Sequence, residues 1–319
     1  MRILFAGSPA IAVPALEALA AEGNFVLAGL LTNPDSPRGR SGKPELTDCA
    51  AAAQRLPGIP LLKPEKLDSA AREQTAALKP DILVSFAYGK IFGPKYLALF
   101  PLGGINIHPS LLPKYRGPTP IPAAILNREA VTGLTIQRLA AEMDSGDILV
   151  QEELPLGGRE TTATLSEIMA KKAAELLPAA LRGIAEGTLR GKPQNHCEAT
   201  HCSLLEKKDG LIDWSRSAEE IDAQIRAFDP WPLCWTNHGE QQLFILKAQA
   251  LDEAPLPAPR SPLPILCGRV LGKDKDKGIL IQTGKGILAV SELQYRTKKA
   301  LEWKAFLNGA RNFIDARLG

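Results

Sequence analysis

Short apolar runs and helical patterns alternate along the first half of the chain. Apolar runs predict strands at 2–8, 25–32, 59–63, 81–87, 104–110 and 133–140. Between several of these runs, apolar residues recur at helical spacing, over 11–22, 47–56, 68–78 and 120–128. Strands that alternate with helices are typical of a parallel sheet covered on both faces, so this half predicts an α/β domain.

One more strand and one long helix are expected to close this domain. The strand is predicted at 147–156, and the helical pattern covers 162–187 and opens at Thr161 and Thr162. We expect Pro178 to interrupt that helix, because proline lacks the N–H that a helix interior uses. The pattern then ends. We therefore expect the α/β domain over 1–189 and a linker over 190–206.

The remainder of the chain, 207–319, predicts a smaller second domain. A helical pattern at 217–228 is followed by short strand-like runs at 242–250, 268–273, 278–283 and 287–295, and a last helix is predicted at 300–309. Several short strands joined by glycine-containing turns indicate a small β-barrel. The length of 319 residues agrees with two domains, since a single core rarely grows to that size.

Composition indicates a folded, soluble chain. Apolar residues make up 45% and charged residues 23%, and no apolar run approaches the roughly 18 residues that a membrane helix needs. The chain begins with a strand pattern, MRILFAGS, rather than with the regions of a signal peptide, so we expect the cytoplasm. The five cysteines are odd in number and irregularly spaced, which favours free thiols.

Positive charge is concentrated near the C-terminus. Residues 1–206 carry 21 basic and 21 acidic side chains, whereas residues 260–319 carry 12 basic and 5 acidic ones, a balance of +7. Such an excess is typical of a surface that contacts a polyanion. A solvated surface of the same sign is the alternative, and charge alone does not separate the two.

Several familiar site motifs are incomplete. The turn after the first strand contains Gly7 but not G-x-G-x-x-G, which disfavours a dinucleotide, and RGRSGKP at 38–44 lacks the first glycine of a phosphate loop. The long connection at 33–46 has the composition of either a substrate-handling lid or a plain surface loop. HCEATHC at 196–202 contains zinc-ligand residue types, but their spacing disfavours a metal site.

A pair of polar residues interrupts the apolar strand at 104–110. Side chains alternate along a strand, so Asn106 and His108 share one face. Unpartnered buried polar groups cost about 1–3 kcal/mol each, which leaves two interpretations: a satisfied core histidine or a functional site. A parallel strand would place both near the carboxyl edge of the sheet, where ligands bind, and Asp144 in a Ser/Gly loop could join them there.

Four stretches carry a resemblance to a known family: FAGSP at 5–9, FAYGKI at 86–91, INIHPSLLPKYRG at 105–117 and GLTIQRLAAEMDSGDIL at 133–149. Together they resemble the formyltransferases that use 10-formyltetrahydrofolate. The likeness to the branch that formylates methionyl-tRNA runs over nearly the whole chain, including PDSPRGR at 34–40 and GLIDWSRSAEEIDAQIRAFDPWP at 210–232. One departure is Leu233-Cys234, where the family tends to have Gly-Ala.

The resemblance implies a fold and a reaction. The fold is a doubly wound, mostly parallel Rossmann-like sheet followed by an OB-like β-barrel that contacts tRNA. The reaction is transfer of the formyl group from 10-formyltetrahydrofolate to the α-amino group of initiator methionyl-tRNA, without a metal or a covalent enzyme intermediate. Asn106 would stabilise the tetrahedral intermediate, His108 would exchange protons and Asp144 would orient the ring of His108.

The resemblance also implies two binding surfaces. The folate residues would be Phe86, Ala87, Tyr88, Gly89, Ser110, Leu111, Leu112 and Pro113. The tRNA residues would be Arg40, Lys43, Lys273, Lys275, Lys277, Lys285, Lys298 and Lys299. For KDKDK at 273–277, whose charges alternate in sign, a plain solvated turn is the alternative. We expect a monomer with no membrane partner. Formylation of a nucleotide-sugar amine and hydrolysis of 10-formyltetrahydrofolate are the rival activities, and a non-catalytic RNA-binding protein is a third possibility.

Overall fold

The chain divides into two compact units. The structure, a computed structural model, describes residues 1–37, 42–56, 58–252, 266–310 and 312–319. The first unit comprises Met1–Pro120, Val131–Leu156 and Thr164–Ser203, and the second comprises Ile121–Ala130, Gly157–Ala163 and Leu204–Gly319. Within the described residues, no helix is long and apolar enough to cross a membrane.

The first unit is built around a 7-stranded sheet. Nine strands occur here in chain order: β1 Arg2–Gly7, β2 Val26–Leu31, β3 Ser36–Pro37, β4 Pro44–Glu45, β5 Leu61–Leu62, β6 Ile82–Phe86, β7 Gly104–His108, β8 Val131–Arg138 and β9 Ile148–Pro155. The sheet order is β5-β2-β1-β6-β7-β8-β9, and β3 pairs with β4 alone. Six α-helices begin before residue 163: α1 Val13–Ala21, α2 Asp48–Ala53, α3 Ser69–Ala77, α4 Pro94–Leu97, α5 Pro120–Leu126 and α6 Thr162–Ala185.

The sheet is mostly parallel, as the sequence predicts. Strands β5, β2, β1, β6 and β7 run parallel, whereas β8 and β9 are antiparallel to their neighbours. Every residue of β6 is buried, which is typical of a parallel strand covered on both faces. The carboxyl ends of β1, β6 and β7 therefore meet along one edge of the sheet.

Helix α6 differs from its prediction, because it continues through Pro178. Proline at this position removes the hydrogen bond to the carbonyl of Ala174, four residues earlier. The helix nevertheless buries an apolar stripe on both sides of the proline, including Leu177 and Leu181. Burial of that stripe outweighs the lost hydrogen bond, since packing rather than propensity supplies most helix stability in proteins.

The second unit contains a 6-stranded antiparallel sheet. Its order is β10-β11-β14-β13-β12, and β15 pairs with β14. The strands are β10 Cys234–His238, β11 Gln241–Leu251, β12 Val270–Asp274, β13 Gly278–Gln282, β14 Ile287–Tyr295 and β15 Leu301–Glu302, and the helices are α7 Ala218–Ala227 and α8 Trp303–Gly309. Helix α7 begins with a capping box, in which Ser217 and Glu220 satisfy each other's backbone N–H groups.

The last residues of the chain connect the two outer strands of this sheet. Leu318 forms a β-bridge with His238 at the end of β10, and Arg317 forms one with Arg269, just before β12. The Leu318 N–H also donates to the carbonyl of Gly268. These bonds cover strand edges that would otherwise be unpaired.

The connecting segment after α6 is bonded to the first unit. Residues 190–203 belong to the first unit, and they are held there by backbone hydrogen bonds. The backbones of Lys192 and Ile148 exchange two hydrogen bonds of 2.8 Å. The Arg116 N–H donates to the Thr200 carbonyl, and the Cys202 N–H donates to the Arg116 carbonyl. These isolated bonds do not form a regular helix or strand. The segment therefore shows no helical or strand repeat of apolar residues in its sequence.

Candidate active site

The register between β7 and β8 brings two amide side chains together. Asn106 pairs with Gln137 across this antiparallel ladder, and His108 pairs with Thr135. Directly paired residues present their side chains on the same face of a sheet. One face of the ladder near its open end therefore carries Asn106, His108, Thr135 and Gln137.

The loop between β8 and β9, residues 139–147, carries Asp144 onto this face. Asp144 adopts a left-handed backbone conformation with φ +54°. Two residues later, the chain passes so close to β8 that a Cβ atom on Gly146 would lie 1.9 Å from the carbonyl oxygen of Arg138. A glycine is therefore required at 146 to keep the loop in place.

The Asp144 carboxylate is held by three hydrogen bonds. Oδ1 accepts from Asn106 Nδ2 at 3.2 Å and from Gln137 Nε2 at 2.9 Å. Oδ2 accepts from the backbone N–H of Gly117 at 2.8 Å. Oδ2 also lies 3.5 Å from His108 Nδ1. We call Asn106, His108 and Asp144 the polar cluster.

Buried His108 is held in one tautomer by its neighbours. Its side chain is 5% exposed, and its Nε2 lies 2.8 Å from the carbonyl oxygen of Tyr115. A carbonyl only accepts, so Nε2 carries the proton and neutral Nδ1 keeps its lone pair. Burial lowers the pKa of His108, while the Asp144 carboxylate and the Tyr115 carbonyl raise it less. The ring is therefore neutral near pH 7, with its basic nitrogen beside Asp144.

Seven of the eight predicted folate residues lie in two loops that follow β6 and β7. In the loop after β6, Ala87 and Gly89 are exposed and have positive φ values, and the Tyr88 carbonyl accepts from Asn33 Nδ2 at 2.9 Å. After β7, the Ser110 carbonyl accepts from Thr135 Oγ1 at 2.7 Å. Because β6 and β7 are adjacent parallel strands, both loops start at the same edge of the sheet as the polar cluster.

The remaining predicted folate residues differ in exposure. Phe86 is the last residue of β6 and is buried, as are Tyr88, Ser110 and Leu112, whereas Leu111 and Pro113 are half-buried. Gln151 Nε2 donates to the carbonyl of Leu112 at 2.9 Å and to Thr135 Oγ1 at the same distance. The 110–113 loop is thus fixed from the neighbouring strands.

The predicted tRNA residues are spread over both units. Arg40 lies outside the described residues, and Lys43 is exposed in the first unit. Six exposed lysines of the second unit complete the set: Lys273, Lys275, Lys277, Lys285, Lys298 and Lys299. Lys275 and Lys277 lie in the turn between β12 and β13, where Asp274 Oδ1 accepts the N–H groups of Asp276 and Lys277. The alternating sequence KDKDK is therefore a hairpin turn that presents its lysines to solvent.

Two of the potential metal ligands in HCEATHC, residues 196–202, form hydrogen bonds to Arg116. His196 begins a short 3-10 helix, His196–Glu198, and its Nδ1 accepts from the guanidinium of Arg116 at 3.1 Å. Cys202 donates to the carbonyl of Arg116 at 3.4 Å. Across the described part of the chain, no group of three or more His, Cys, Asp or Glu side chains could hold a metal ion.

Comparison with known families decides the relationship. A formyl transferase family model matches residues 1–181, and the model of the formyl transferase C-terminal domain matches residues 204–311. The chain belongs to the formyl transferase family. The matched ranges contain the polar cluster and the antiparallel sheet, respectively.

Relatives in this family are similar over the full length of the chain. The methionyl-tRNA formyltransferase of Treponema denticola is 50% identical, over 99% of this chain and 98% of its own. The enzymes of the same name from Treponema pallidum and Roseiflexus castenholzii are 43% and 40% identical, each over 100% of this chain and 99% of their own.

Solved structures share the fold. The N-formyltransferase of Helicobacter canadensis, solved with folinic acid and dTDP-3-aminofucose, superposes with a TM-score of 0.65 at 20% identity, over 90% of this chain and 98% of its own. HypX of Aquifex aeolicus, solved with tetrahydrofolic acid, gives a TM-score of 0.62 at 17% identity, over 98% of this chain and 48% of its own.

Sequence reasoning missed four groups that contact the polar cluster. They are the side chain of Gln137, the N–H of Gly117, the carbonyl of Tyr115 and the side chain of Gln194. Gln137 leaves a signal in the sequence, since it is a polar residue within an apolar strand pattern, as Asn106 is. The other three leave none, because they reach the cluster through loops.

Proposed function

We propose that the chain transfers the formyl group of 10-formyltetrahydrofolate to the α-amino group of initiator methionyl-tRNA, giving N-formylmethionyl-tRNA for translation initiation. The observation that carries the proposal is similarity over the full chain to enzymes named for this reaction. The sequence identity to one of them is 50%. The polar cluster supports the chemistry but is compatible with any amine acceptor. The N-formyltransferase of Helicobacter canadensis is only 20% identical, so it supports the fold and does not favour a sugar substrate.

Asn106 is the proposed oxyanion donor. The amine attacks the formyl carbon, and the former carbonyl oxygen gains negative charge in the tetrahedral intermediate. One hydrogen of Asn106 Nδ2 is committed to Asp144 Oδ1, which fixes the direction of the amide and leaves its second hydrogen to donate to the substrate. A donor that is already oriented stabilises the oxyanion without reorganising.

His108 is the proposed base. Its Nδ1 has a free lone pair and takes a proton from the attacking amine, while Nε2–H stays on the Tyr115 carbonyl. The resulting imidazolium is stabilised by the Asp144 carboxylate, 3.5 Å away. The intermediate then collapses: the bond between the formyl carbon and N10 breaks, and the proton passes from His108 to N10. The products are formylated amine and tetrahydrofolate.

The folate would lie between the two loops that follow β6 and β7. Exposed backbone at Ala87 and Gly89 offers hydrogen-bonding groups for the pterin edge, and the fixed 110–113 loop forms the opposite side. The residues of this proposed pocket are the eight that the family resemblance implies. No metal takes part in the proposed reaction.

The tRNA would be held by the exposed lysines of the second unit, with Arg40 and Lys43 nearer the methionyl end. Lysines that contact phosphates add affinity that is independent of sequence and sensitive to salt. In this proposal residues 1–189 are the catalytic domain and 207–319 the tRNA-binding domain. The enzyme would act as a cytoplasmic monomer.

A comparison of acceptors tests the proposal. Purified chain is incubated with 10-formyltetrahydrofolate labelled in the formyl group and with methionyl-tRNA, an amino-sugar nucleotide or no acceptor. We expect label on methionyl-tRNA, and little on the sugar or in free formate. Label on the sugar, or formate release that does not depend on an acceptor, would refute the proposed acceptor.

A further inference from the structure

Gln194 is a buried amide whose hydrogen-bonding groups are all used. It is 6% exposed, and it lies between the two ranges that the family models match. Its Nε2 donates to the carbonyls of Asp144 at 2.9 Å and Gly146 at 2.7 Å, which uses both hydrogens. Its Oε1 accepts from Arg116 Nε at 3.2 Å and Nη2 at 2.7 Å.

These bonds hold the loop that carries Asp144 at two carbonyls. The loop has an unfavourable left-handed backbone at Asp144 and a close approach to β8 at Gly146. A non-glycine residue in this conformation persists when surrounding bonds overdetermine it. Gln194 supplies such bonds on both sides of Ser145, and its Nε2 also lies 3.3 Å from Gln137 Oε1.

Arg116 fixes Gln194 in turn. Arg116 is 5% exposed, and its guanidinium donates to Gln194 Oε1 and His196 Nδ1. Charge-assisted bonds of this kind are stronger than neutral ones, and two of them on one oxygen set the rotation of the Gln194 amide. The NH₂ end then has to face the two loop carbonyls.

We propose that Gln194, held by Arg116, is a positioning residue that keeps the Asp144 carboxylate against His108 and Asn106. The connecting segment 190–203 is then part of the catalytic machinery and not a passive linker. This inference rests on the proposed function, because it assigns Gln194 to the same reaction. Gln194 itself does not contact substrate.

The main test replaces Gln194 by methionine, which keeps its approximate volume and removes both the donors and the acceptor. We expect kcat to fall about 10–100-fold, because small displacements of catalytic groups have effects of this size. The KM values for both substrates should stay within about threefold, since no substrate contact is removed. Asn195→Ala is the matched control, because Asn195 is an exposed neighbouring amide that bonds to Cys197 N–H.

A second measurement separates positioning from simple stability. Displacing the Asp144 carboxylate removes an interaction that raises the pKa of His108, while burial continues to lower it. The pKa of His108 in Gln194→Met should therefore lie below that of the wild type. NMR titration of ¹⁵N-labelled histidine measures this without any substrate.

The outcomes distinguish the two proposals. A lower melting temperature with an unchanged His108 titration and unchanged kcat would overturn the positioning role. If the wild type itself fails to formylate methionyl-tRNA, the proposed function is refuted, and the NMR titration still decides whether Gln194 positions Asp144. Should Gln194→Met fail to fold, Gln194→Asn retains an amide one methylene shorter and is expected to show the same shift.

Discussion

Two opposing effects act on the pKa of the His108 side chain. Burial lowers its pKa, whereas the Asp144 carboxylate and the Tyr115 carbonyl raise it, and burial is the larger effect. The folded protein therefore holds His108 neutral over a pH range in which an exposed histidine becomes charged. This property suits a base that accepts a proton during the reaction.

The same property predicts a pH dependence of stability. Because the pKa is lower in the folded state, the unfolded chain binds more protons below the ordinary histidine pKa of about 6.5. The contribution of His108 to stability is complete above that pH and is lost as the pH falls towards the folded-state pKa, by up to about 1.4 kcal/mol per pH unit. Urea unfolding between pH 7 and pH 5 measures it.

Comparison with His108→Gln isolates this contribution from the other three histidines. The free energy of unfolding should fall more steeply with decreasing pH in the wild type than in the variant. Parallel curves for the two proteins would mean that His108 has the same pKa in the folded and unfolded chains.

Single residues also mark the limit of what the sequence could predict. Asn106 and His108 stand out because strand alternation places them on one face of an otherwise apolar run. Asp144 could be expected near them from the polar loop that follows the next strand. The position of Gln194 near these residues could not be predicted. Its bonds depend on how the chain returns to the sheet after α6, and no local sequence pattern encodes that path.

Among the elements, the 139–147 loop is sensitive to substitution at Gly146. Gly146→Ala would put a Cβ atom 1.9 Å from a backbone oxygen of β8, and backbone cannot rotate away as a side chain can. We expect the loop to shift, with kcat lower by about 10²-fold and a loss of about 1–3 kcal/mol of stability. Formyl-transfer kinetics and urea unfolding measure the two effects.

Gly23→Ala is the matched control for this change, because a Cβ atom on Gly23 would meet nothing within 4 Å. Its kcat should equal that of the wild type. A Gly146→Ala variant with wild-type kcat would show that Asp144 does not need this loop conformation.

Strands and helices were predictable where burial imposes a period. Strands β1, β6 and β7 lie within the predicted runs, and helices α1 and α3 lie within the predicted helical patterns. The four-residue helix α4 was not predicted, since one turn has no measurable period. The continuous α6 shows why Pro178 misleads: local propensity favours a break, and packing against the rest of the unit opposes it.

Leu233 is a further case in which tertiary structure overrides local preference. It has φ +68°, in the left-handed region that favours glycine. A left-handed conformation costs a residue with a Cβ atom about 1–2 kcal/mol. The Leu233 N–H donates to the carbonyl of Phe228 at 2.9 Å, and strand β10 begins at the next residue, so backbone bonds on both sides hold this conformation.

At the scale of the whole molecule, the sequence shows an excess of positive charge near the C-terminus, which predicts contact with a polyanion. The exposed lysines of the second unit should make tRNA binding depend on salt. Replacing Lys298 and Lys299 by glutamate should weaken binding and make the slope of log Kd against log salt shallower, by about 1 for each phosphate that the variant no longer neutralises. Filter binding of tRNA at several salt concentrations measures the slope.

A double variant of the first unit, Lys95→Glu with Lys171→Glu, changes the net charge equally and serves as the control. Both lysines are exposed and lie outside the proposed tRNA residues. If the two double variants shift the salt slope by the same amount, the effect reflects net charge, and direct contact by Lys298 and Lys299 is excluded.

The central claim is that Asn106, oriented by Asp144, stabilises the tetrahedral intermediate of formyl transfer. Single-turnover transfer of labelled formyl to methionyl-tRNA, with both substrates bound at saturation, compares the wild type with Asn106→Ala most directly. The predicted result is a rate lower by about 10²–10³-fold with unchanged tRNA affinity. A rate within a few-fold of the wild type would contradict the claim.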